Sequence, residues 1–234
     1  MEQTNKPLRY CYAYPHPSVT TDCVVFGYDG ERLHVLLIER GVPPYKGCWA
    51  FPGGFLNVDE SADEGARREL EEETGLKVSD ICQFHSFSDP ERDPRERVIT
   101  IAYYTLVPVG EVKGSDDAAR AQWFPLDNVP PLAFDHDSML ALAIDALRRR
   151  LFFEPLGTGV LPEMFTFAQW QQLYAAIVGS TSDMQRLFEK MLQFGVIVAD
   201  NAKDHTDTDA KPILYKFVTE AYAAMRSNRF LMEW

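Results

Sequence analysis

The chain has 234 residues, 46% of them hydrophobic and 25% charged, with a formal net charge of −12. That length allows one large domain or two small ones with ample apolar material for a core, and the negative balance argues against a generic polyanion binder while leaving a nucleotide substrate open, because metal ions and local arginines offset charge. No apolar run approaches the roughly 18 residues of a membrane span, the N-terminal MEQTNKPLRYCYAYPHP lacks the apolar core of a signal peptide, and Cys11, Cys23, Cys48 and Cys82 show no CxxC spacing, so the expectation is a cytoplasmic protein with reduced structural thiols.

In chain order, Val19–Tyr28 is β-branched and aromatic, and Leu33–Glu39 alternates well enough for a second strand. Asp29-Gly30 between them is a hairpin turn signal. Residues 40–48 read as a Pro/Gly loop, and Trp49–Phe51 leads into a turn at Pro52-Gly53-Gly54. Ser61 with Glu64 three residues on is a capping box, so a helix is predicted from about Asp63. Gly75 followed by Leu76 reads as a left-handed cap, which stops that helix at Thr74. Ile81–Phe87 and Val98–Pro108 are predicted strands, and Ala121–Phe124 is a short extended piece. A helix over 138–152 follows, with basic residues in its last turn. Strands around one helix, closed by another, predict a mixed α/β sandwich.

The helix after Ser61 carries Ala62, Ala66 and Leu70 as a core-facing stripe. Glu69, Glu72 and Glu73 stand at i, i+3 and i+4 and share another face. Three glutamates crowd the C-terminal half, where each wrong-sign charge costs about 0.3–1 kcal/mol against the helix dipole. A bound divalent cation reverses that penalty, and carboxylate oxygens suit Mg2+ or Mn2+.

The whole stretch from Gly54 to Leu76 fits the template G-x5-E-x7-R-E-U-x-E-E-x-G-U, U being aliphatic. Gly54, Glu60, Arg68, Glu69, Leu70, Glu72, Glu73, Gly75 and Leu76 fill its nine fixed positions. This template is the Nudix box, and the chain here resembles the Nudix hydrolase family, which cleaves nucleoside diphosphates linked to another group with the help of divalent metal. The resemblance implies an α/β/α sandwich over residues 1–152, a catalytic set of Glu60, Arg68, Glu69, Glu72 and Glu73, and Glu69, Glu72 and Glu73 as metal ligands. It implies that Glu60 supports the metal site or the attacking water, and Arg68, four residues from Glu72, is expected to orient carboxylates. Gly53 and Gly54 let the loop backbone approach the helix, with Gly54 beside the substrate. In the family a further carboxylate outside the box often assists; Glu96, Asp116 and Asp117 are candidates, with no choice among them.

The loop Asp89-Pro90-Glu91-Arg92-Asp93-Pro94-Arg95-Glu96-Arg97 lies between two predicted strands. Two readings are open. Arg92, Arg95 and Arg97 pair with phosphate oxygens of a substrate, or they form salt bridges with the acids of their own loop. The resemblance favours ADP-ribose or a close nucleotide sugar. Phe51, Phe55, Tyr103 and Phe134 are unranked candidates for an adenine-stacking face. His136 is expected to cap or brace the helix that follows it, and Trp49, Trp123 and Trp170 to pack in cores.

A second unit is expected over 153–234. Phe153–Pro162 reads as a linker, Thr166 with Gln169 caps a helix that ends at Gly179, and Ser182 with Gln185 caps another that ends at Gly195. Val196–Ala199 and Ile213–Val218 are strands flanking a polar loop, Asn201–Lys211. Helix, turn, helix, strand, wing, strand is a winged helix, a small α+β domain. A sandwich followed by a winged helix resembles the Nudix-related bacterial transcriptional regulators, an extension carried by ERDPRERVITIAYYTL, PPLAFDH, LPEMFTFAQWQQLYAAI and ILYKF. Those regulators sense ADP-ribose or a sugar derivative and bind DNA, and both parts of the resemblance imply a homodimer. Two departures stand out. The box is intact here although many regulators have a degenerate one, which favours catalysis. The second helix of the winged unit offers DNA only Arg186 and Lys190, set against Asp183 and Glu189, and residues 151–234 hold 7 Lys or Arg against 10 Asp or Glu, a balance of −3. Phosphate neutralisation is the main source of DNA affinity, so the first reading is a metal-dependent hydrolase of ADP-ribose or a related nucleoside diphosphate sugar. The alternative is a ligand-sensing, DNA-binding regulator.

Overall fold

The computed structural model describes residues 13–114, 118–151, 154–179, 184–200 and 212–221. The first strand, β1 (Ser18–Tyr28), turns through Asp29, whose carboxylate accepts the backbone N–H groups of Glu31 and Arg32, both at 2.8 Å. That side-chain turn feeds β2 (Leu33–Arg40) back antiparallel to β1. Two short strands follow, β3 (Trp49–Ala50) on β2 and β4 (Gly53–Phe55) on β1. Gly53-Gly54 is therefore not the expected free turn: the pair is laced into the sheet opposite Asp22 and Thr21. Glycine is required there, since a Cβ on Gly53 would stand 2.2 Å from the Thr21 carbonyl oxygen.

Helix α1 (Ala62–Thr74) has the capping box on Ser61 and Glu64, and Gly75 closes it in the left-handed region at φ 72°. Strands β5 (Cys82–Phe87) and β6 (Val98–Pro108) are antiparallel, and β6 runs parallel to β1 along its whole length. Strand β7 (Ala118–Pro125) pairs with β2 and is longer than its four-residue sequence signal. Helix α2 (His136–Arg150) starts two residues earlier than predicted. The mixed seven-stranded sheet runs β3-β2-β1-β6-β5, with β4 on β1 and β7 on β2.

Alternation along β1 sorts the layers. Cys23 and Val25 face α1 with Leu36, Ala66, Leu70 and Tyr103. Val24, Phe26 and Tyr28 face α2 with Leu37, Met139, Ala143 and Leu147. This is the α/β/α sandwich.

The α2-side core continues into the C-terminal elements through Leu151, Leu156, Phe165 and Trp170. These elements are β8 (Phe165–Thr166), α3 (Phe167–Val178), α4 (Met184–Gln193), β9 (Ile197–Ala199) and β10 (Leu214–Phe217), the strands ordered β8-β10-β9. Thr166 and Gln169 form the predicted capping box, and Gly179 ends α3 at φ 80°. Strand β8, unread in the sequence, is only two residues long and exists because β10 pairs with it. Trp170 stacks on Tyr174 at 4.1 Å between ring centroids and meets Phe188 of α4 edge-on at 4.9 Å. Helix, helix and hairpin strands around one aromatic core make the winged-helix unit. Ser182 and the loop 201–211 lie outside the described residues, as do Cys11 and Asp183. Among the described residues Cys23, Cys48 and Cys82 form no disulfide, and no helix is long and apolar enough to cross a membrane.

Candidate functional site

A cleft of about 360 Å³ opens where β1, β4, the N-terminal end of α2 and the polar face of α1 meet. From α1 it takes Arg68, Glu69 and Glu73; from the sheet Thr20, Asp22, Ile38, Arg40, Gly53, Gly54 and Phe55; from the loop before β6 Arg92, Asp93 and Arg95; and from the start of α2 His136. Residues from six separated stretches of chain thus share one surface.

Arg68 organises the α1 wall. Its guanidinium donates to Glu60 at 2.5 and 2.9 Å, to Glu69 at 2.8 Å, to Glu72 at 3.0 Å and to the Phe55 carbonyl at 3.1 Å. Bonding to Arg68, helped by the Asn57 backbone N–H, holds the Glu60 carboxyl down to about 2. The same pairs push the Arg68 guanidinium above its ordinary range. Burial raises Glu69 despite its bond to Arg68. Gly54 leaves room for that carboxylate, because a Cβ there would stand 2.5 Å from it. Glu73 sits deeper. Burial, with the Glu69 and Asp22 carboxylates as further causes, pushes its carboxyl up to about 8, although it accepts the Gly53 N–H at 2.9 Å. Glu72 is 58% exposed at its side chain.

The opposite wall is a second charge network. Arg92, 4% exposed at its side chain, donates to both carboxylate oxygens of Asp135 at 2.8 and 3.0 Å and lies 4.0 Å from Asp22. Asp135 occupies the N-cap position of α2 yet makes no capping bond, because its carboxylate is turned to Arg92. Buried His136 accepts the Phe51 N–H at its Nδ1, 3.0 Å away, and its Nε2 lies 3.7 Å from Asp22. It braces the β3–β4 link against α2, and burial holds its imidazole below the ordinary histidine range. Arg95 chelates Asp93 at 2.7 and 3.0 Å and lies over the Phe55 ring. Arg40 donates to the Pro44 carbonyl and lies over the Phe134 ring, and burial together with nearby Arg95 lowers its guanidinium.

A profile of the NUDIX domain matches residues 16–143. The chain belongs to the Nudix family. A profile of the AraR C-terminal winged HTH domain matches residues 153–232, so the Nudix fold here is joined to the winged helix seen above. The chain is similar to the ADPR responsive transcriptional repressor NtrR of Acinetobacter baylyi, 30% identical over 215 residues that span 89% of this chain and 85% of the relative. It is 42% identical to an ADP-ribose pyrophosphatase of Methanocaldococcus jannaschii over 127 residues, 54% of this chain and 73% of that one. A MutT/nudix family protein from Enterococcus faecalis superposes with a TM-score of 0.76 at 28% identity, covering 90% of both chains.

The structure places the Nudix-box residues Gly54, Arg68, Glu69 and Glu73 on the cleft, and Glu60 and Glu72 against Arg68 beside it. Arg92 and Arg95 line the cleft and are both engaged with aspartates, one in its own loop and one in α2. Arg97 donates to the Asp89 carbonyl and Glu96 accepts from Ser18 Oγ; neither lines the cleft. Asp116 and Asp117 lie outside the described residues. Of the aromatic candidates, Phe51, Phe55 and Phe134 line the cleft, whereas Tyr103 packs under α1 and donates to Asp63. Among the described residues no three acidic, histidine or cysteine side chains are gathered closely enough to hold a metal. The physical reason is on the α1 wall: the Arg68 guanidinium occupies the space between Glu69 and Glu72. Sequence reading missed Thr20, Asp22, Arg40, Asp93 and Asp135, which converge only through the sheet. One signal was present: on the face of β1 that carries Val24, Phe26 and Tyr28, the preceding positions Asp22 and Thr20 turn polar.

Proposed function

We propose that this protein is an ADP-ribose-responsive, DNA-binding regulator whose Nudix cleft is the sensor. The observation that carries this reading is the path of α2. The helix begins at the cleft with Asp135 and His136 and, about 22 Å further on at 1.5 Å per residue, ends against the winged helix, where Arg148 donates to the Ile177 carbonyl of α3 at 3.0 Å. One rigid element touches both units. The whole-chain similarity to a repressor named as ADPR responsive supports the same order of readings. On α4, Gln185, Arg186 and Glu189 face solvent while Met184, Leu187, Phe188 and Met191 are buried. Arginine and glutamine suit base edges in a major groove, and half-buried Lys190 adds charge near the end of the helix. A homodimer is part of the proposal, since paired recognition helices match two half-sites.

Hydrolysis is the second reading, favoured by the unbroken box and by Glu73. A carboxyl raised to about 8 chiefly by burial, with the Glu69 and Asp22 carboxylates beside it, is a group that a cation relieves, and Glu69, Glu72 and Glu73 would give Mg2+ or Mn2+ an all-oxygen donor set once the ion takes the place of the Arg68 guanidinium between Glu69 and Glu72. Such an ion would neutralise phosphate oxygens of a pyrophosphate, and Arg68 would keep its pair with Glu60 beside the site. Arg40 and Arg95, on the cleft walls, suit the phosphates of a nucleoside diphosphate.

Calorimetry and turnover with ADP-ribose, ADP-glucose and NADH in Mg2+ separate the two readings. The sensor reading predicts saturable ADP-ribose binding with turnover far below the roughly 1–1000 per second of ordinary enzymes. Turnover within that range, lost in Glu73→Gln, would make hydrolysis the main role.

A further inference from the structure

The α2 side of β1 changes character along its length. Val24, Phe26 and Tyr28 belong to the apolar core, whereas Asp22 and Thr20, 9% and 8% exposed, form the cleft floor. Asp22 is partly accounted for. Its Oδ2 accepts from Thr100 Oγ1 at 2.5 Å, and its Oδ1 lies 3.7 Å from His136 Nε2. Thr20 is not accounted for: its buried hydroxyl has no hydrogen-bond partner among the described residues. A buried hydroxyl left without a partner is destabilising, having lost its water and gained nothing in return. Thr21 is an internal comparison. Its hydroxyl is also buried and unpaired, but it points to the α1 side of the sheet and does not line the cleft. An unpaired hydroxyl alone is therefore not a site; Thr20 differs by standing beside a buried carboxylate on a cleft floor.

The geometry points to Thr20 and Asp22 as a hydroxyl-recognition floor that takes the sugar beyond the diphosphate of a nucleoside diphosphate sugar. Asp22 as a carboxylate only accepts, while the Thr20 hydroxyl donates and accepts. One sugar hydroxyl donates to Asp22 and its neighbour pairs with Thr20, which fits a vicinal diol. A ligand lacking hydroxyls there leaves the Thr20 hydroxyl buried and unpaired and Asp22 with only its bond from Thr100, and a site with an unmet buried polar group discriminates against such an analogue. This rests on the reading that the cleft takes ADP-ribose and adds which residues read its terminal sugar.

The test is calorimetry on the full chain with ADP-ribose, ADP and ribose 5-phosphate, using wild type, Thr20→Val and Thr21→Val. Thr20→Val is expected to weaken ADP-ribose about tenfold, the equivalent of about 1.4 kcal/mol, and to leave ADP unchanged. Thr21→Val leaves both unchanged. Both variants are expected to melt at or above the wild-type temperature, since each removes an unpaired hydroxyl. Equal loss of ADP and ADP-ribose in Thr20→Val, or no loss of either, overturns the floor while leaving the sensor reading standing. Absence of ADP-ribose binding in the wild type sinks the sensor reading instead, and ribose 5-phosphate at millimolar concentration then decides the floor. Binding lost in Thr20→Val supports it; binding kept, or none at all, overturns it.

Discussion

Replacing Glu73 with glutamine is expected to stabilise the protein at pH 8 relative to pH 5, while removing any metal-dependent turnover. The folded carboxyl is raised from 4.5 to about 8 by burial and by Glu69 and Asp22. As pH rises through this window, the unfolded chain gives up the proton first and the folded chain holds it. The Glu73 contribution is thus fully present below about 4.5 and is lost as pH rises through 8, at no more than about 1.4 kcal/mol per pH unit. Glutamine keeps the uncharged form at every pH. The stability gap between variant and wild type should therefore widen by a few kcal/mol, an order-of-magnitude figure, between pH 5 and pH 8. Mg2+ or Mn2+ should close that gap by stabilising only the wild type. Urea denaturation at the two pH values, with and without metal, measures it; a gap independent of pH would mean that Glu73 is not held protonated by its surroundings.

Arg92→Ala is the second large effect. Arg92 is buried and its fork is filled by Asp135, with Asp22 behind. Removing it leaves two carboxylates on a buried wall without their cation, a loss of about 3–5 kcal/mol. Arg95→Ala removes a 40% exposed side chain and leaves Asp93, 3% exposed, with the backbone N–H of residue 95 as its remaining donor, so it should cost less, about 1–3 kcal/mol. Adding Asp135→Asn should recover part of the Arg92→Ala loss, since the stranded charge is then gone. Equal melting temperatures for Arg92→Ala and Arg95→Ala would contradict the pairing. The consequence reaches beyond stability, because Asp135 gives up its capping role for Arg92 and so ties the start of α2 to the cleft wall.

What the sequence made legible was local. Ser61 with Glu64 and Thr166 with Gln169 need only their own helices to act as caps, and Gly75 and Gly179 need only a left-handed residue. The spacing of Glu69, Glu72 and Glu73 followed from one helix. What stayed hidden was tertiary. Gly53-Gly54 carries a turn signal in isolation and becomes a strand only because β1 accepts it as a partner. The loop arginines could be drawn toward phosphate or toward acids, and the acid that holds Arg92 comes from α2, 43 residues away. His136 braces Phe51 across 85 residues, a contact no spacing encodes. The acidic balance of the C-terminal unit weighed toward hydrolysis when taken alone. The path of α2 from cleft to winged helix, visible only in the fold, gives that unit a reason to answer to the cleft.

The central claim is that occupancy of the cleft changes DNA binding by the winged helix. Its most direct test is fluorescence anisotropy with a duplex selected by the full chain from a random-sequence pool, read at low and moderate salt, with and without ADP-ribose. The account predicts binding that weakens with salt, falls in Arg186→Ala and shifts when ADP-ribose is added. No selectable sequence, or an affinity indifferent to ADP-ribose that the chain demonstrably binds, would contradict it.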